Sequence, residues 1–141
     1  MNLTLLKTKQ CPEIDKDTLR MFVKFMKYAT KELNLEDRPI KIRFLGKSPN
    51  EPITTGCYEP STKTISTIVA GRHPIDYFRT IAHELAHMKQ DVDGRISGPQ
   101  QEIGGEIEDE ANVLSGRYTK HFIKNILTDD EKKKLGLGSY K

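Results

Sequence analysis

The sequence has few cysteines, no long apolar run and only a small net charge. Its 141 residues include two cysteines, which fit a reducing compartment better than a disulfide scaffold. Because no apolar run approaches about 20 residues, the chain is not expected to span a membrane. A formal net charge of +3 is too small to indicate a nucleic-acid partner. Together these features favour a soluble protein whose partner is not a nucleic acid.

The N-terminal segment also lacks the features of an export signal. Its apolar stretch is too short for a secretory signal peptide, so we expect an intracellular, cytoplasmic protein. This class includes proteins that a virus makes inside its host. A chain of this length is expected to form one domain over residues 1–141, with flexible ends at about 1–14 and 136–141.

Apolar periodicity divides the first half of the chain into one helix and three short strands. The helix has an apolar stripe at spacings of three and four residues, and the first strand alternates apolar and charged residues. The pattern predicts an α+β fold, in which a small twisted sheet packs on an N-terminal helix. The expected segments are an irregular stretch at 1–14, a helix from Asp15 or Asp17 to about Asn34, strands at 39–45, 55–58 and 64–69, and a loop at 47–53.

The most informative segment is a predicted helix over about 75–91, which contains the motif His83-Glu84-Leu85-Ala86-His87. Two histidines four residues apart share a helix face and can bind one metal ion. At about 100° per residue the two histidines lie about 40° apart, and the aliphatic stripe lies on the opposite side. A pair of core histidines would not face away from that stripe, so the pattern indicates a zinc site. The stripe consists of Phe78, Ile81, Leu85 and Met88.

A second predicted helix, from about Gly105 to Asn125, supplies carboxylates for the same site. Two histidines and one carboxylate bind zinc with the fourth position left to water. Glu108 and Glu110 are both candidates, but they lie about 200° apart around the helix, so both cannot face one ion. The glycine-containing loop at 91–105 lets the chain turn back between the two helices.

The histidine motif, followed by Glu108-Asp109-Glu110-Ala111-Asn112, resembles the HExxH and ExxAN pattern of gluzincin metallopeptidases, most closely the ImmA/IrrE-like family. The resemblance covers roughly residues 64–115. It implies a minimal zincin-like fold in which His83, His87 and Glu108 hold Zn²⁺ and Asn112 supports a ligand histidine. An asparagine oxygen can accept the outer N–H of such a histidine and fix its tautomer.

A zinc site beside a carboxylate predicts a zinc metallopeptidase, here an endopeptidase that acts on a protein or peptide substrate. In this interpretation Glu84 is the general base that takes the proton of the attacking water. The alternative is a catalytically weak or inactive zincin-like module that binds a regulator protein or nucleic acid. A purely structural zinc site is the weakest interpretation, because such sites are usually closed by four protein ligands, often cysteines.

Two further parts of a peptidase site are expected from the sequence. The strand at 64–69 is expected to form the sheet edge beside the cleft, where an extended substrate can pair by strand addition. A second donor is expected for the oxyanion that develops during peptide hydrolysis. The candidates for this donor are Tyr58, His73, Arg117, Tyr118 and His121.

Overall fold

A computed structural model of the chain describes residues 2–46, 55–96 and 105–137. It confirms the predicted α+β class. The predicted loop at 47–53, part of the predicted loop at 91–105 and the last residues of the predicted flexible C-terminal end lie outside the described residues. Among the described helices, none is both long enough and apolar enough to cross a membrane. The elements are β1 (Leu3–Lys7), α1 (Lys16–Glu32), β2 (Ile40–Leu45), β3 (Gly56–Glu59), β4 (Thr64–Ile68), α2 (Pro74–Val92), α3 (Glu106–His121), a π-helical turn (Phe122–Ile126) and α4 (Asp129–Lys134).

The four strands form one mixed sheet in the order β1-β2-β4-β3. Strands β1 and β4 both run parallel to β2, and Ile42 lies opposite Ile65 in the central pair. Strand β3 pairs antiparallel with β4, with Gly56 opposite Thr67. The outer strand on the side of the hairpin is therefore β3.

Two predictions about the sheet were wrong. Residues 3–7 were expected to be irregular but form β1, because β2 offers them a parallel partner that is distant in sequence. The strand at 64–69 was expected at the sheet edge, but β4 lies between β2 and β3 and is buried along its whole length. Sheet order depends on such long-range pairing, which the local pattern of a strand does not contain.

The core lies between the sheet and helices α1 and α2. In β2 the residues alternate as predicted: Ile40, Ile42 and Phe44 are buried, whereas the two basic residues between them are exposed. Four buried phenylalanines join α1, α2 and the π-helical turn, with ring centroids 5.0 to 6.2 Å apart. This cluster anchors α2, the helix that carries the histidine motif. Its members are Phe22, Phe25, Phe78 and Phe122.

Strand β3 approaches helix α2 closely at Gly56. A Cβ atom at this position would lie 2.4 Å from Thr80 Cγ2 and 3.0 Å from the carbonyl oxygen of Ser66. The Thr80 hydroxyl accepts a hydrogen bond from Arg72 at 2.7 Å and donates to the carbonyl oxygen of Asp76, so its methyl group is held in place. Glycine is therefore the residue that lets the edge strand lie against the motif helix.

Gly56→Ala should lower the free energy of unfolding by about 1–3 kcal/mol, because the added methyl group overlaps Thr80 and pushes β3 away from α2. In a strand without this contact, replacing glycine by alanine would stabilise the protein by roughly 0.5–1 kcal/mol. Thr80→Ser removes the overlapping methyl group and keeps the hydroxyl, so the double variant should recover part of the loss. Chemical denaturation measures both effects, and a Gly56→Ala protein as stable as its parent would contradict the close approach.

Candidate metal centre

Helix α2 presents both histidines of the motif on one polar face. The helix begins after His73, whose Nδ1 accepts the backbone N–H of Ile75 at 3.1 Å, and Pro74 occupies the first turn. The opposite face is apolar and at most 1% exposed at each position, which fixes the rotation of the helix about its axis. The buried positions are Phe78, Ile81, Leu85 and Met88.

Helix α3 brings one carboxylate to the two imidazoles. His83 Nε2 lies 2.7 Å from Glu108 Oε1, and His87 Nε2 lies 3.1 Å from Glu108 Oε2. The two Nε2 atoms are 3.2 Å apart. These three side chains form a group that could hold one metal ion.

The donor set and its spacing fit zinc. Ligand atoms about 2.1 Å from a tetrahedral ion are roughly 3.4 Å apart, close to the distances among His83, His87 and Glu108. Two imidazole nitrogens and one carboxylate are also the donors of many catalytic zinc sites. The three side chains are 15–37% exposed, so solvent can reach the position that they leave open.

The first histidine is held in a form that suits a ligand. Burial lowers the pKa of His83, although the neighbouring Glu108 carboxylate acts in the opposite direction. A neutral imidazole is the form that binds a metal ion. Asn112, four residues after Glu108 on α3, lines the same pocket as His83 and acts to raise the pKa of that histidine. Support of a ligand histidine by Asn112, which the sequence resemblance implies, stays a prediction.

The second histidine, His87, is oriented by Gln90, which the sequence pattern did not indicate as a site residue. Gln90 is fully buried, and its Oε1 lies 2.8 Å from His87 Nδ1. Its Nε2 donates to the carbonyl oxygen of Ile107 and to Glu110 Oε1, both at 3.0 Å. The amide nitrogen is the donor in both of these bonds, so the amide oxygen is the atom that faces His87. His87 Nδ1 then donates its proton to this oxygen, and His87 Nε2 is left to bind a metal ion. The signal that could have found Gln90 is its position three residues after His87, on the histidine face.

The rival carboxylate, Glu110, is engaged elsewhere. Its Oε1 accepts hydrogen bonds from Arg95 at 2.7 Å and from Gln90 at 3.0 Å. The hydrogen bonds from Arg95 and Gln90 lower the pKa of Glu110 and keep the side chain turned away from the histidines. Of the two acidic candidates, Glu108 is therefore the one beside the imidazoles.

Glu84 lies next to the metal-binding group on the wall of a pocket. It is 9% exposed, and burial raises the pKa of its carboxyl group to about 7, with the nearby His87 lowering it and Glu108 raising it. A pKa near neutrality suits a group that first takes a proton and then gives it up.

The pocket has a volume of about 650 Å³ and extends along the N-terminal half of α2. Strand β3 and helix α3 form its other walls. A cavity of this size is in the range of ligand sites in proteins. The lining residues are Thr55, Gly56, Arg72, Asp76, Arg79, Thr80, His83, Glu84, Glu108, Asn112 and Ser115.

None of the five side chains considered as oxyanion donors belongs to this lining. Three of them have other partners: the Tyr58 hydroxyl donates to Asp91 at 2.6 Å, His73 caps α2, and His121 stacks on Tyr28. Tyr118 packs edge-on against the same Tyr28 ring, and Arg117 lies outside the lining of the pocket. The cationic side chains that line the pocket are Arg72 and Arg79. The sequence pattern did not indicate either of them as a functional residue.

No protein-family model, no curated protein and no solved structure matches this chain. The functional interpretation therefore depends on the motif and on the geometry of the site.

Gln90→Leu should weaken metal binding by roughly 10- to 100-fold, because His87 loses the acceptor that fixes its tautomer. Competition with a chromophoric chelator measures this affinity. Gln90→Glu is the matched variant, since it keeps an acceptor for His87 but loses both donors to α3. It should retain more metal affinity than Gln90→Leu and still lower the free energy of unfolding. A Gln90→Leu protein that binds metal as tightly as its parent would refute the orienting role.

Proposed function

We propose that the protein is a zinc-dependent metallopeptidase with a minimal zincin-like fold, and that it cleaves peptide bonds within protein or peptide substrates. His83, His87 and Glu108 are the zinc ligands in this proposal, and Glu84 is the general base. The proposal is supported by the short distances among the three ligand side chains and by the position of Glu84 beside them on the pocket wall.

Glu84 is the single observation that carries the proposal. A site that only stores or displays a metal ion needs three or four ligands and no further carboxylate. Here a second carboxyl group, that of Glu84, is 9% exposed and directly follows the ligand His83 in the chain. Burying a carboxyl group costs free energy, and a role in proton transfer accounts for its presence.

When bound, a zinc ion in such a site polarises the carbonyl group of the substrate and acidifies a water molecule. Glu84 then accepts the proton of the attacking water and passes it to the leaving amine. Gln90 keeps the His87 imidazole in its ligand tautomer. Asn112 is proposed to do the same for His83, whose pKa it acts to raise. Strand β3 contributes Gly56 to the wall of the pocket beside Glu84.

The substrate backbone is proposed to lie along β3. This strand lies at one edge of the sheet, opposite the edge formed by β1, and it contributes Gly56 to the wall of the pocket. An extended peptide that pairs with the strand would cross the pocket beside Glu84. Such pairing uses backbone groups and gives little sequence preference, so preference must come from side chains elsewhere in the pocket.

The second candidate function is a catalytically weak or inactive zincin-like module that binds a regulator protein or nucleic acid. One observation favours it: the pocket lining that the described residues form contains no tyrosine and no histidine besides the ligand His83. Neutral donors of these types commonly stabilise the oxyanion in acyl transfer.

Glu84→Gln should keep the metal and lower cleavage at least about a hundredfold, because the amide cannot accept the proton of the water. Proteolysis of an unfolded protein such as casein, followed by mass spectrometry, measures cleavage, and elemental analysis measures the metal. Glu36→Gln is the matched control, since Glu36 is exposed and distant in sequence from the site.

A Glu84→Gln protein that cleaves as fast as its parent would contradict the proposed base. If the parent holds zinc and neither protein cleaves any substrate in a broad peptide library, the binding module becomes the better description.

A further inference from the structure

Arg79 is a charged side chain of the pocket that the proposed mechanism does not use. It lies one helical turn before His83 on α2 and is exposed. Its guanidinium reaches toward α3, since Nη2 lies 3.4 Å from the point where a Cβ at Gly116 would be. Within the residues that the structure describes, Arg79 makes no hydrogen bond or ion pair. No described residue therefore competes with a ligand in the pocket for its five N–H groups.

Arg72 adds a second positive charge, and no carboxylate of the described residues forms an ion pair with it. Its guanidinium donates to four neutral oxygens: those of Ile68 and Asp76 in the backbone, and the hydroxyls of Thr67 and Thr80. These bonds, of 2.7 to 3.4 Å, hold the group rigidly in the pocket wall. Asp76 is the acidic side chain of the lining whose charge acts on Arg72, so this end of the pocket holds two cations and one anion.

The two ends of the pocket therefore differ in charge. The carboxylates Glu84 and Glu108 lie at the metal-binding end, where a bound cation would offset them. Arg79 lies four positions before His83, which corresponds to about 6 Å along the helix axis. An extended peptide advances about 3.3 Å per residue, so this spacing covers about two residues of substrate.

We propose that Arg79, with Arg72 behind it, binds a carboxylate of the substrate within about two residues of the cleaved bond. The proposal rests on the proposed peptidase function for the identity of the substrate. An arginine fork binds a carboxylate through two parallel hydrogen bonds, which gives direction as well as charge recognition. The carboxylate belongs either to a glutamate or aspartate side chain, as in an endopeptidase, or to the C-terminus of a peptide, in which case the enzyme removes residues from the chain end.

The first test measures binding without turnover. Linear hydroxamates with two to six methylene groups and a terminal carboxylate are titrated into the zinc-loaded protein by calorimetry, and compared with the same compounds ending in a neutral amide. At one chain length the carboxylate form should bind roughly tenfold more tightly. Arg79→Gln should remove this preference and leave the affinity for the amide unchanged. Arg38→Gln, at an exposed loop position, is the matched control and should keep the preference.

Equal binding of the carboxylate and amide forms at every chain length would overturn the anion site, but it would not contradict the zinc centre. Hydroxamates that fail to bind in either form would contradict the zinc centre and the proposed function together with the anion site. Retention of the preference in Arg79→Gln would also overturn the assignment.

The second test separates the two sources of the carboxylate. Zinc-loaded Glu84→Gln protein, in which cleavage should be at least about a hundredfold slower, is titrated with blocked alanine pentapeptides that carry one glutamate at successive positions. It is also titrated with the all-alanine peptide bearing a free C-terminal carboxylate. Tighter binding of a glutamate peptide assigns an acidic side chain, and tighter binding of the free acid assigns a chain terminus. If neither binds more tightly than the blocked all-alanine peptide, the proposal is wrong.

Discussion

The packing of α3 across α2 is the contact on which the candidate metal centre depends. Two ligands lie on α2 and the third lies on α3, so the site exists only while the two helices keep their register. Gln90 holds that register, because one buried amide binds His87 on its own helix and both Ile107 and Glu110 on the other. The same amide thus orients a ligand and docks the first turn of α3. This shared contact couples the stability of the helix pair to the affinity for metal.

Local sequence patterns were sufficient for most of the elements but not for their order in the sheet. The apolar stripes and alternations predicted α1, α2 and the strands β2, β3 and β4, because each depends on neighbours within a few residues. Strand β1 was missed, since a short stretch that pairs only with a distant strand has little periodicity of its own. The position of β4 inside the sheet was missed for the same reason. Its pairing with β2 is a long-range contact.

In the candidate site, too, the local spacing was predicted and the long-range contacts were not. Helical spacing placed His83 and His87 on one face, and the angle between Glu108 and Glu110 established that only one of them could join the pair. Which one did so depended on how α3 is rotated as it packs on α2, and Glu110 instead pairs with Gln90 and with Arg95. Sequence spacing cannot reveal such a competing partner. Arg79 was passed over because an arginine on a polar helix face has no distinctive pattern until the pocket around it is known.

The central claim is that α2 and α3 together form one zinc site, and the most direct test is the metal content of protein purified without added metal. Elemental mass spectrometry should give about one zinc ion per chain for the parent protein. Glu108→Ala should lose most of this zinc, while Glu36→Ala should keep it. A parent protein that contains no metal and takes up no zinc on titration would contradict the account.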